Sequence, residues 1–117
     1  MIQQRAEELG RLIGQTDEFK ALKRSRDRLR EAPEVSERLR KLEEMARGLE
    51  SQAARGEEAA PDDVAAYDGL LGQIQADPAY QGMISAQSNF DKLMLRVNEH
   101  ILDGMQKGAA SSIITLS

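Results

Sequence analysis

DPAYQGMISAQSNFDKLMLRVNEHILDGM, residues 77–105, is the stretch on which the fold turns. Asp77 stands where an N-cap belongs, and Pro78 at the first helical position, where a missing N–H costs nothing. Behind them an unbroken helical pattern runs for about 28 residues, roughly 42 Å at 1.5 Å per residue. Met83, Phe90, Met94, Val97 and Ile101 fall at coiled-coil spacing, and Ile84, Leu93 and Leu102 widen the stripe. So long an amphipathic helix predicts an all-α protein.

Upstream, the same reading divides the chain into helices over about 2–14, 16–31, 33–55, 61–76 and 78–106. Ile2, Ala6, Leu9 and Ile13 give the first an apolar face, ending near Gly14. Thr16 is an N-cap with Asp17 and Glu18 behind it, and a kink or short break is expected there because the register from Ile13 does not run on to Phe19. Phe19, Leu22 and Leu29 face the core from the second helix, and Ala32–Pro33 bounds it. The third helix carries the cleanest heptad, Val35, Leu39, Leu42, Ala46, Leu49, Ala53, with Glu34–Arg38, Glu37–Lys41 and Glu43–Arg47 as i,i+4 pairs. Gly56 ends it, 57–61 is a polar loop, and Val64, Tyr67, Leu71 and Ile74 line the fourth. Gly108 reads as a stop, so 107–117 is expected to be a flexible tail, with docking of Ile113, Ile114 and Leu116 on a partner as the lesser alternative.

The 117 residues fit one domain, residues 1–106. Phe, Tyr and Trp make up only 3 % of the chain, so its core is thin for a compact monomer. Long stripes that one copy cannot bury are buried against another, which predicts antiparallel helical hairpins assembled as a homo-oligomer, a dimer first. The candidate core and oligomer interface is Phe19, Leu22, Leu39, Leu42, Leu49, Leu71, Ile74, Phe90, Met94, Val97 and Ile101. No apolar run approaches membrane length, and charges at the N-terminus stand where a signal peptide needs apolar residues, so a cytoplasmic protein is expected.

Chemistry is sparse. With no cysteine, disulfides and thiolate metal sites are excluded. His100, beside Glu99 and three residues before Asp103, is one imidazole with two surface acids, too few ligands for a metal site. No nucleophile–base pair, phosphate loop or dinucleotide fingerprint is present, and an enzyme is the least favoured class. The net charge of −4 conceals an asymmetry, since almost all Lys and Arg precede Gly56. Lys20, Lys23, Arg24 and Arg28 form a candidate basic patch within Lys20–Arg30. A solvated face is its favoured reading, an acidic partner fits it equally, and RNA is the disfavoured alternative, because no aromatic is interleaved for base stacking. Arg26 interrupts the stripe between Leu22 and Leu29, so it either snorkels at the core edge or pairs with an acid from another helix or subunit.

Three features resemble the YlbF/YmcA family of small bacterial helical regulators, and within it the YheA-like branch. They are IGQTDEFKALKRSRDRLREAPEVSERLRKLEEM (13–45), with Thr16, Glu18, Phe19, Leu22 and Lys23 in the family's capped opening; the glycine–acidic loop at 55–58; and DPAYQGMISAQSNFDKLMLRVNEHI (77–101). The resemblance covers about 2–105. It implies an all-α homo-oligomer with a non-enzymatic regulatory or adaptor role, acting through contacts with other proteins. Relatives such as YlbF and YmcA act in complexes that influence competence, sporulation, biofilm formation and mRNA maturation. Those complexes hold iron–sulfur clusters through cysteines, which this chain lacks, so no cofactor is expected.

Overall fold

The helix boundaries are set by local chemistry at four points. The computed structural model describes the backbone of residues 1–116 and the side chains of residues 1–110. Its helices are α1 (Ile2–Gly14), α2 (Asp17–Arg30), α3 (Pro33–Ala54), α4 (Pro61–Gln75) and α5 (Pro78–Leu116), and the protein is all-α. At Thr16 the backbone turns extended, at φ −71 and ψ 153. Its hydroxyl oxygen accepts from the Phe19 N–H at 3.2 Å while the hydroxyl donates to the Ile13 carbonyl at 2.6 Å. One side chain thus closes α1 and opens α2, and the junction is a true break.

Pro33 opens α3, and the Ser36 hydroxyl reaches back to donate to the Leu29 carbonyl at 2.8 Å, which also accepts from the Ala32 N–H at 3.2 Å. Gly56, at φ 74, is the one residue described with positive φ. Its N–H donates to Ala53 O at 3.1 Å and that of Glu57 to Gln52 O at 2.9 Å, which is the Schellman pattern. At the fourth point Asp77 Oδ1 accepts from the N–H groups of Ala79 (2.8 Å) and Tyr80 (3.3 Å). Asp77→Ala removes both bonds and is expected to cost about 1 kcal/mol, whereas Asp77→Asn keeps an acceptor and stays near wild type. Urea midpoints of the two variants check this; equal midpoints would mean that the cap contributes nothing.

α5 runs on through Leu116, past the helix end expected near residue 106. Gly108 costs a helix roughly 1 kcal/mol relative to alanine, which does not end one flanked by Lys107, Ala109 and Ala110. The expected docking of Ile113, Ile114 and Leu116 lies outside the described side chains. A second difference is on α3, where Glu34–Arg38, Glu37–Lys41 and Glu43–Arg47 do not close. Arg40 instead bridges Glu37 and Glu44, because one guanidinium fork reaches acids at both i−3 and i+4.

Packing joins these helices in two pairs. α2 lies antiparallel on α5, since Glu18 meets Arg96 while Arg26 meets Gln87. α3 and α4 form a hairpin around the 55–60 turn. The molecule measures 70 × 37 × 20 Å with a radius of gyration of 21.7 Å, against about 13 Å for a compact chain of this length. Its short dimension is two helix diameters. A layer of two helices covers only one side of each, so the core is small: Leu22, Val35, Ile74, Ala79 and Ala86. Val35, Ile74 and Ala79 lie beside the Pro33 and Asp77 breaks, at the waist where the pairs join.

Candidate interaction surfaces

The α2/α5 pair is built around close approach. Leu22 and Ala86 are buried, and the Phe19 and Phe90 rings tilt against each other at 5.8 Å between centroids. Arg26 reaches α5 through an amide rather than an acid. Its Nη2 donates to Gln87 Oε1 at 2.9 Å, and Gln87 Nε2 donates in turn to Asp91 Oδ1 at 2.9 Å, so an amide carries the guanidinium to a carboxylate. Arg96 and Glu18 close the other end at 3.9 Å, an exposed pair worth little by itself.

Of the candidate core and interface residues, Leu22 and Ile74 are buried. Leu39, Leu42, Leu49, Leu71, Phe90, Met94 and Val97 are half-buried, whereas Phe19 and Ile101 are exposed. Sequence periodicity merged two stripes of α5 that the fold separates. Phe90 packs on Phe19 of α2, and Met83 and Val97, on the same face of α5, are half-buried. Ile84, Leu95 and Leu102 sit about a third of the way round the helix and stay exposed. Their spacing of eleven and seven residues, near three and two turns, was the available signal. A groove of about 490 Å³ runs along this second stripe between Ile84 and Leu95.

Lys20, Lys23, Arg24 and Arg28 all lie exposed on α2, and among the described residues none of the four makes an ion pair. Arg30 is drawn to Asp27 at 3.8 Å. His100 is exposed on α5, and no group of three metal-ligating side chains occurs among the described residues. On α3 the Arg40 guanidinium beside Glu37 holds that carboxyl below the usual carboxylate range, on an open solvent face. A cleft of about 380 Å³ between α3 and α4 is lined by Met45, Gly48, Leu49, Ser51, Gln52, Arg55 and Asp63, and within it the Ser51 hydroxyl accepts from Arg55 Nη1 at 2.8 Å.

A family model described as "Control of competence regulator ComK, YlbF/YmcA" matches residues 2–106. The chain belongs to the YlbF/YmcA family. No curated protein and no solved structure matches it. The match takes in α1 to α4 and most of α5, so both helix pairs of this YlbF/YmcA member fall inside it. The family is one of regulatory proteins. With no cysteine, this member has no thiolate to ligate the iron–sulfur cluster expected of some relatives, and its donor set does not fit one. Among the described residues no helix is long and apolar enough to cross a membrane.

Proposed function

We propose that this YlbF/YmcA member is a cytoplasmic, non-enzymatic regulatory adaptor that assembles with itself and recruits other proteins through helix faces, without a cofactor of its own. The observation that carries the reading is a fold two helices thick, whose apolar stripes exceed what one copy covers. Light scattering at micromolar concentration tests the self-assembly: a mass above 13.0 kDa is expected, and a stable folded monomer would remove that part. Recruitment is tested by affinity capture from the native host, identification by mass spectrometry, and reconstitution of the complex from purified components. An identified partner that fails to rebind in purified form would remove the adaptor role.

The free basic face of α2 favours a second reading, an RNA-associated module. It predicts RNA binding that weakens steeply with salt and is abolished by Arg24→Glu with Arg28→Glu. An absence of binding at low salt would dispose of it.

A further inference from the structure

Exposed apolar side chains are not spread evenly over this molecule. Of the ten large ones exposed among the described residues, seven (Met1, Ile2, Leu12, Leu95, Ile101, Leu102 and Met105) lie in the N-terminal arm or in α5 beyond residue 94. Both arms leave the α2/α5 pair at its Glu18–Arg96 end. Past that point α2 no longer covers α5, and residues 98–110 are all exposed. α1 has no buried residue, and α2 is its principal neighbour. α1 is 13 residues long, about 20 Å, and α5 runs from residue 98 to Leu116 beyond its cover, about 28 Å. They do not cover one another: Ile2 is 87 % exposed, Leu12 63 %, Leu102 57 % and Met105 63 %. The opposite end, around the 55–60 turn, exposes only Val64 among large apolar residues.

The area fits a definite occupant. The chain exposes 9020 Å², whereas a compact monomer of this mass exposes roughly 6,300 Å². The excess, ~2,700 Å², is of the order that obligate homodimers bury, roughly 1,000–2,500 Å² per partner. Gly104 and Gly108, one turn apart beside Ile101 and Met105, have no heavy atom of another element near them and leave room for a helix to approach closely. We infer that α1 and residues 98–110 of α5 form one self-association surface, on which the same two arms of a second copy of this chain seat about a two-fold axis. A closed isologous contact covers the apolar arms of both copies at once. Head-to-tail contact would set apolar arms against the polar 55–60 tip and leave one pair of arms bare. The inference rests on the self-assembly proposed above and assigns it a face.

The absence of cysteine makes single-cysteine variants clean probes. Leu102→Cys treated with a short bis-maleimide is expected to give covalent dimer, while Glu58→Cys, at the opposite tip, stays single-chain. Ile101→Glu with Leu102→Glu is expected to halve the mass measured by light scattering. The helical circular dichroism should persist, because both side chains are exposed in the single chain. A wild-type dimer that cross-links from Glu58→Cys, or only when the two cysteine variants are mixed, would overturn this surface and leave self-assembly standing. A single-chain mass for the wild type would remove both. If the double-glutamate variant loses its helicity, the Leu102→Cys cross-link alone decides.

Discussion

Ile74→Ala is expected to lower the stability of the fold by about 2–5 kcal/mol, the range for deleting a fully enclosed aliphatic side chain. Ile74 closes α4 at 0 % exposure, and Val35, also at 0 %, opens α3. Both sit at the waist, with Ala79 just across the Asp77 break. The five core residues among those described leave few neighbours with which to refill a hole, which places the loss in the upper part of that range. Val35→Ala removes one carbon fewer and should follow with a smaller loss. Val64→Ala, at a 40 % exposed position on α4, should stay within about 0.5 kcal/mol of wild type. Urea unfolding at one fixed protein concentration compares all three, since self-association makes a midpoint depend on concentration. If Ile74→Ala unfolds like Val64→Ala, the waist is not the core.

Leu22→Ala should be the second most damaging truncation, again about 2–5 kcal/mol, and should exceed Phe90→Ala. From sequence the ring of Phe90 promises the larger loss, because it heads the strongest stripe in a chain with two phenylalanines. The fold reverses that order. Leu22, 2 % exposed, is the buried residue of α2, whereas Phe90 is half-buried against a Phe19 that is itself 36 % exposed. A half-covered ring loses only part of its transfer energy on truncation, leaving about 2 kcal/mol. A larger loss for Phe90→Ala would show that a second copy covers the ring pair.

What was legible in the sequence was local. Thr16, Gly56 and Asp77–Pro78 act through hydrogen bonds and φ angles within four residues of themselves, and residue type alone identifies such positions. Pairing of the helices was less legible, since a stripe reveals a face and not its occupant. Arg26 shows the difference. Its place in the apolar stripe was plain, but its partner lies 61 residues away and is an amide, not an acid. Merging Ile84 and Leu102 into the main stripe of α5 had the same origin. A helix 39 residues long, about 58 Å, outruns its 14-residue neighbour α2, and periodicity does not reveal where cover ends. The α3 ion pairs differed for a smaller reason: several acids compete for each base, and side-chain reach chooses among them.

The ribbon-like shape also bears on how this molecule moves through water. A body of 70 × 37 × 20 Å presents more frictional drag than a sphere of equal volume. A single chain will therefore leave a sizing column early, at the position of a heavier globular protein. Its tumbling will be anisotropic, slow for rotations that swing the long axis and faster about it. Transverse NMR relaxation along the 70 Å axis should therefore report its shape before its mass.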